Sequence, residues 1–232
     1  MKRLLFAIAA ALLVLGAGCA QSHYPDDDFV KSANALRPSV VLLTMDVPGD
    51  SKNSGPDSEY ATGTVVASGA WGSDILTVEH AVEQAWNLRV TINNKQKVPA
   101  RVIAENADLD VALVRTGRGH LPVVKLGTSD DAMPGRMIGL LGYPIPDQFD
   151  DEGLGLATSL NSGRISSLRQ DAIEVTLPIV PGESGSPIFL ADTGEIVGMA
   201  ESRFDQERSI GFALPIDDAK KFLHAHDAAH GL

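Results

Sequence analysis

The stretch that decides the fold is VTLPIVPGESGSPIFLADTGEIVGM, residues 175–199. Short apolar runs alternate with turn-forming Gly, Pro and Ser, and ADTGE at 191–195 reads as a hairpin turn, so the segment predicts strands. Ser184 sits in the middle, in GESGSP. A serine hydroxyl alone is a poor nucleophile; it needs a base within hydrogen-bond reach and donors for a developing oxyanion. Whether Ser184 is a nucleophile or a plain turn residue therefore depends on what the rest of the chain supplies.

Working outward, similar runs recur from residue 61 onward: ATGTVVAS, DILTVE, LRVTI, KVPARVIAE, DVALVR, VVKLG, RMIGLLGYP, SGRISSL, AIEVTL and SIGFALP. Their spacing indicates an all-β barrel or sandwich. Before them, SVVLLTMDV reads as a strand and PGDSKNSGPDSEY (48–60) as an exposed loop. A short helix is predicted over the run opened by Asp26 to Asp28, whose negative charge suits a helix N-terminus, and Pro38 stops it. A second helix is predicted over PIDDAKKFLHAH near the end, with Asp217 or Asp218 near its start.

Two further residues complete a constellation. His80 follows the run ILTVE and precedes small apolar residues; Asp110 stands immediately before the run Val111 to Val114. Each has an ordinary reading when taken singly: a structural histidine at a strand end, a turn carboxylate with Asp108 as a local rival, a turn serine. Their conjunction is what points to chemistry. The order His, Asp, Ser on an all-β chain fits the chymotrypsin-type triad. An α/β-hydrolase would run Ser, acid, His with Gly two residues after the nucleophile, where this chain has Ser186.

TVEHAV, DLDVALV, GYPIP, SGRIS, PGESGSP, GEIVGM and SIGFALPI follow one another in the order and at the separations of the HtrA/Deg serine proteases, and ALRPSVV resembles that family's approach to its first strand. The resemblance spans roughly residues 28–223. It implies two packed six-stranded antiparallel β-barrels with short terminal helices, divided at about residues 28–125 and 126–232. It also implies an active site in the cleft between them. His80 would take the proton from Ser184 and return it to the leaving amine, and Asp110 would fix the His80 tautomer. The N–H groups of Gly182 and Ser184 would form the oxyanion hole. Leu177 to Pro181, Met199 to Ser202 and Gly211 to Ala213 match the substrate-pocket walls, with Pro178, Met199, Ala200, Glu201, Gly211 and Ala213 as lining candidates. With no acid at the expected base, a small or medium apolar side chain before the cut bond is expected. The implied partners are protein or peptide substrates, a homotrimer is a family-based option, and no metal or organic cofactor is required.

Three departures qualify the likeness. Glu183 precedes the serine where HtrA relatives usually have Asn and trypsins Asp; it would hold the oxyanion turn through a cation or an N–H, or hold it inactive. Ser186 replaces a usual glycine. The chain stops at Leu232, where typical HtrA proteins continue into PDZ domains, so a protease without them is expected. The rival reading is a latent or inactive protease-fold binding protein or chaperone.

Composition sets the remaining expectations. Lys2 and Arg3, the apolar run Leu4 to Leu15 and LGAGC (15–19) resemble a bacterial lipoprotein signal, with cleavage before Cys19 and acylation of it. The tether would be residues 19–27. Cys19 is the only cysteine, which excludes an internal disulfide. Ala20 after it hints at outer-membrane sorting, facing the periplasm. The signal holds two of the 19 basic residues and none of the 30 acids, leaving a mature balance of −13. So acidic a protein does not take nucleic acid as its main partner. The acidic PDQFDDEG lacks the alternating ligand spacing of an EF-hand and reads as a solvated loop, and the histidines of HAHDAAH read as a polar terminus.

Overall fold

A computed structural model describes residues 27–49, 55–201 and 210–230. The predicted all-β class holds: two closed antiparallel barrels of six strands each. The first is built from β1 (Val40–Val47), β2 (Asp57–Gly69), β3 (Gly72–Thr77), β4 (Trp86–Ile92), β5 (Gln96–Asn106) and β6 (Val111–Thr116). They close in the order β1-β2-β3-β6-β5-β4. The second is built from β7 (Met137–Gly142), β8 (Ser159–Leu168), β9 (Ile173–Val175), β10 (Pro187–Leu190), β11 (Ile196–Glu201) and β12 (Gly211–Pro215), closing as β10-β11-β12-β9-β8-β7.

Helix α1 (Asp27–Leu36) ends ahead of Pro38, as the sequence requires, and buries Ala33 and Leu36. Its Phe29 stacks on Phe189 of β10 with ring centroids 5.8 Å apart. Helix α3 (Ile216–His230) begins at the predicted acidic turn and buries Ile216 and Ala219. Asp217 fastens that helix, accepting the Ser129 N–H at 2.8 Å and the Thr128 hydroxyl at 2.9 Å. The Lys220 ammonium beside it, with these donors, holds its pKa down at about 2.

Three local expectations are corrected. The loop predicted over 48–60 gives way at Asp57, because β1 still offers partners there: Val47 pairs with Asp57 and Met45 with Glu59. VVKLG is not a strand. It joins two barrels that are already closed, so it has no sheet edge to extend; it makes one bridge, Leu126 with Ile196, through two backbone bonds to the second barrel, and one backbone bond to the first, from Val124 to Val65. PDQFDDEG is not a plain loop: Pro146–Asp151 forms the short helix α2, with Pro at its start and Asp147 in its first turn.

The core has two parts. One fills the second barrel, with Ile138, Leu140, Ile165, Ile173, Leu177 and Ile188 among its members. The other fills the first barrel and runs on between the two, taking in Tyr143, Phe189, Met199 and Leu214 from the second. This shared apolar layer fixes the barrels against each other. On β3, buried Asp74 faces Arg115 directly across the β3–β6 ladder; the pair is bidentate, at 2.6 and 2.8 Å. The guanidinium also lies 4.6 Å from the Trp71 ring. Arg115→Ala would leave the Asp74 carboxylate buried and unpaired, at a cost of about 3 kcal/mol in urea unfolding. A loss below about 1 kcal/mol would show that solvent reaches the pair.

Candidate active site

His80 lies in the turn after β3, and Asp110 ends the turn between β5 and β6. Ladder β3–β6 brings the two turns together, since Thr77 pairs with Ala112. His80 Nδ1 stands 2.7 Å from Asp110 Oδ2, and the His80 backbone N–H donates to Oδ1 at 2.9 Å. The carboxylate thus grips ring and backbone at once and places the proton on Nδ1, leaving Nε2 as an acceptor. Asp110 takes a left-handed backbone, φ 50°, which is uncommon for a residue with a side chain. The Asn106 side chain supports that turn by accepting the Leu109 N–H at 3.0 Å. Asp108 is exposed and lines a separate surface hollow with Asp171 and Asp218.

The environment favours the charged form of the pair. The hydrogen bond that His80 donates to Asp110 raises the His80 pKa; burial opposes it, and the charges of Asp110, Glu59 and Glu201 add to it. For Asp110, burial pulls upward, but the hydrogen bonds from the His80 ring and backbone and from Glu79 outweigh it, so its pKa is lowered.

Ser184 is 6% exposed and sits in a turn between Gly182 (φ 89°) and Gly185 (φ 85°). Both glycines are needed for conformation and for space. A Cβ on Gly182 would fall 2.3 Å from the Tyr143 carbonyl oxygen, and one on Gly185 2.1 Å from that of Thr62. Thr62 of β2 ties this turn to the other barrel. Its N–H donates to the Ser184 carbonyl at 2.9 Å, and its hydroxyl donates to the Gly182 carbonyl at 2.7 Å. The same hydroxyl accepts the Tyr143 N–H at 3.0 Å. Gly185 N–H donates to Ala200 of β11 at 2.9 Å, and Ala200 N–H to Ser186 at 2.8 Å.

The orientation of two peptide groups matters chemically. The Pro181 carbonyl accepts the Ile145 N–H at 2.8 Å, so the N–H of Gly182, on the opposite edge of that trans peptide, points the other way. Among the described residues no backbone carbonyl accepts from Gly182 N–H or Ser184 N–H. Glu183 is fully buried. Its Oε2 accepts the Val180 N–H and its Oε1 the Asn161 side-chain amide, both at 3.1 Å. Of the two supports expected for it, the N–H is therefore the one present.

The pocket candidates divide. Ala200 and Ala213 belong with Leu177 to the core of the second barrel, with Ile179 packed against it. Gly211 stands where a Cβ would meet the Leu177 carbonyl at 2.4 Å and the Ile179 side chain at 2.9 Å. Pro178 is exposed, Glu201 is buried at the end of β11, and Met199 packs in the layer between the barrels. Ser202 and Cys19 lie outside the described residues. His224 and His226 lie on α3, and the described residues hold no cluster of three or more His, Cys, Asp or Glu able to hold a metal. Sequence reasoning missed Thr62 and Asn161. The available signal for Thr62 was a polar pair, Thr62 and Thr64, two positions apart in the otherwise apolar run ATGTVVA; Asn161 offered none.

The description "Trypsin-like peptidase domain" matches residues 61–199. A protein named as serine protease HhoB of Synechocystis is 31% identical over 159 residues, covering 63% of this chain and 36% of that protein. A protein of Halomonas elongata named as a DegP-like periplasmic serine endoprotease is 28% identical over 183 residues, covering 74% and 36%. This chain thus spans little more than a third of these relatives. Among solved structures, the HtrA-type protease AlgW with tripeptide superposes with a TM-score of 0.70 at 22% identity, over 88% of this chain and 64% of that one.

Proposed function

Because the chain belongs to the trypsin-like peptidase family, we propose that it is a serine endopeptidase with Ser184 as nucleophile, His80 as base and Asp110 as its orienting acid. Ser184 Oγ attacks the scissile carbonyl while its proton passes to His80 Nε2. The N–H groups of Gly182 and Ser184 take the oxyanion. The tetrahedral adduct then breaks its C–N bond; the amine leaves with the proton from His80, and Ser184 remains as an acyl ester. Water, deprotonated by His80, attacks the ester and frees the serine. The observation that carries this reading is the His80–Asp110 pair, held on one barrel while Thr62 of that barrel fastens the serine turn of the other.

A disabled oxyanion turn, the rival reading, would put a carbonyl where the donors belong. The bonds of the Pro181 and Gly182 carbonyls to Ile145 and Thr62 favour a working turn instead. Gly182→Ala sets a methyl against Tyr143 and Pro146 and so displaces the residue's N–H from the oxyanion, which is expected to lower kcat by about 10² to 10³. Unchanged kcat would remove Gly182 from the oxyanion hole.

The substrates we assign are unfolded or extended protein segments. The place of action is the bacterial envelope, as relatives named periplasmic suggest, with acylated Cys19 on the outer membrane. The role is HtrA-like quality control, by single chains or by the trimer the likeness implies. The test is incubation of a soluble form starting after Cys19 with casein. Fragments that disappear with Ser184→Ala support the reading; intact casein beside a folded protein, or cleavage that survives the substitution, contradicts it.

A further inference from the structure

We propose that Glu183 is a positioning residue for this reaction. Its ionised carboxylate clasps the oxyanion turn from within the second barrel, and the clasp opens when the carboxylate takes up a proton. The inference rests on the protease reading above. Glu183 and Val180 are tied reciprocally: Glu183 N–H donates to the Val180 carbonyl at 3.0 Å, and Val180 N–H donates to Oε2 at 3.1 Å. These two bonds close the segment that carries Gly182. Asn161 of β8 holds the other carboxylate oxygen.

Both neighbours are donors, so a proton on either oxygen faces a donor rather than an acceptor. An acceptor stands close by. The Ser186 hydroxyl is buried and has no hydrogen-bond partner among the described residues, and it meets the same point above Gly142 as the Glu183 side chain, at 2.2 and 3.2 Å from a Cβ placed there. A protonated Glu183 that turned to Ser186 would release Val180. Among the described residues the groups packed around the turn are Thr62 from β2, Thr77 from β3, Gly142 from β7 with Tyr143, Ile145 and Pro146 after it, Asn161 from β8, Ala200 from β11 and Ser186. None of these is charged, so among the described residues no cation holds the carboxylate ionised. Burial accordingly pushes the Glu183 pKa up to about 7, and His80, whose own pKa is raised by its hydrogen bond to Asp110, must also lose its proton to act as a base.

Two groups must then be deprotonated for one activity. The test is the second-order rate of labelling by a fluorophosphonate, followed from pH 5 to 9. Below both ionisations the wild-type rate is expected to fall about 100-fold per pH unit, and that of Glu183→Gln only about 10-fold. Asn161→Ala, which removes one bond to the ionised form, moves the wild-type midpoint to higher pH and serves if Glu183→Gln does not fold. A wild-type fall of only 10-fold per unit, or a fall left at 100-fold by Glu183→Gln, overturns the Glu183 role alone. A folded wild type that is never labelled overturns the protease reading with it.

Discussion

Ser184→Ala and His80→Ala are each expected to lower kcat by about 10⁶-fold, and the double variant by no more than either. Nucleophile and base act as one unit: a serine without its base keeps its proton, and a base without its serine has none to take. Independent roles would instead multiply. Both side chains lie in turns whose backbones are held by other groups. Ser184 is fixed by Thr62, and His80 N–H by Asp110, so truncating the side chains leaves the barrels closed. Steady-state cleavage of a fluorescent casein, beside circular dichroism of each variant, measures the effect. A double variant far slower than either single one would contradict the shared role.

Asp110→Asn is expected to lower kcat about 10⁴-fold in a folded protein. An asparagine oxygen can still accept the His80 backbone N–H, the bond now 2.9 Å long, so the turn keeps its form. Its amide then presents N–H to Nδ1, which becomes the acceptor, and the ring proton moves to Nε2. A protonated Nε2 cannot accept from Ser184. The substitution also removes the largest support of the raised His80 pKa, so the acid limb of the pH profile moves to lower pH. A loss below tenfold with an unmoved profile would show that Asp110 only shapes the turn.

Glu183 links function to stability with a definite sign. An acid with an ordinary value of 4.5 and a folded value of about 7 gives up its proton earlier in the unfolded chain. Its contribution to stability is therefore full below pH 4.5 and is lost as the pH rises through 7, a cost of about 3 kcal/mol. The ionisation that clasps the oxyanion turn is the one the fold resists, a stability–activity conflict of the kind expected at active sites.

The sequence made the strands legible because most alternate with Gly, Pro or Asn turns, and it made the triad candidates legible because three residue types fell in three fitting contexts. VVKLG misled because its apolar content serves two barrels at once rather than one ladder. The α2 helix was hidden by its acids, which suit a first helical turn as well as a loop. Thr62 and Asn161 were out of reach for a different reason: they lie 122 and 23 positions from Ser184 by sequence number. Their partners are fixed only when the barrels close and dock. Glu183 was visible as an odd residue, but one of its two supports, the Asn161 amide, comes from β8 and not from its own neighbourhood.

The most direct measurement is the site of a fluorophosphonate adduct, mapped by mass spectrometry on the folded protein at pH 8. One adduct on Ser184, absent from Ser184→Ala and His80→Ala, is the predicted result. A folded protein with no adduct, or an adduct elsewhere that Ser184→Ala leaves in place, would contradict the assignment of Ser184 as an activated nucleophile.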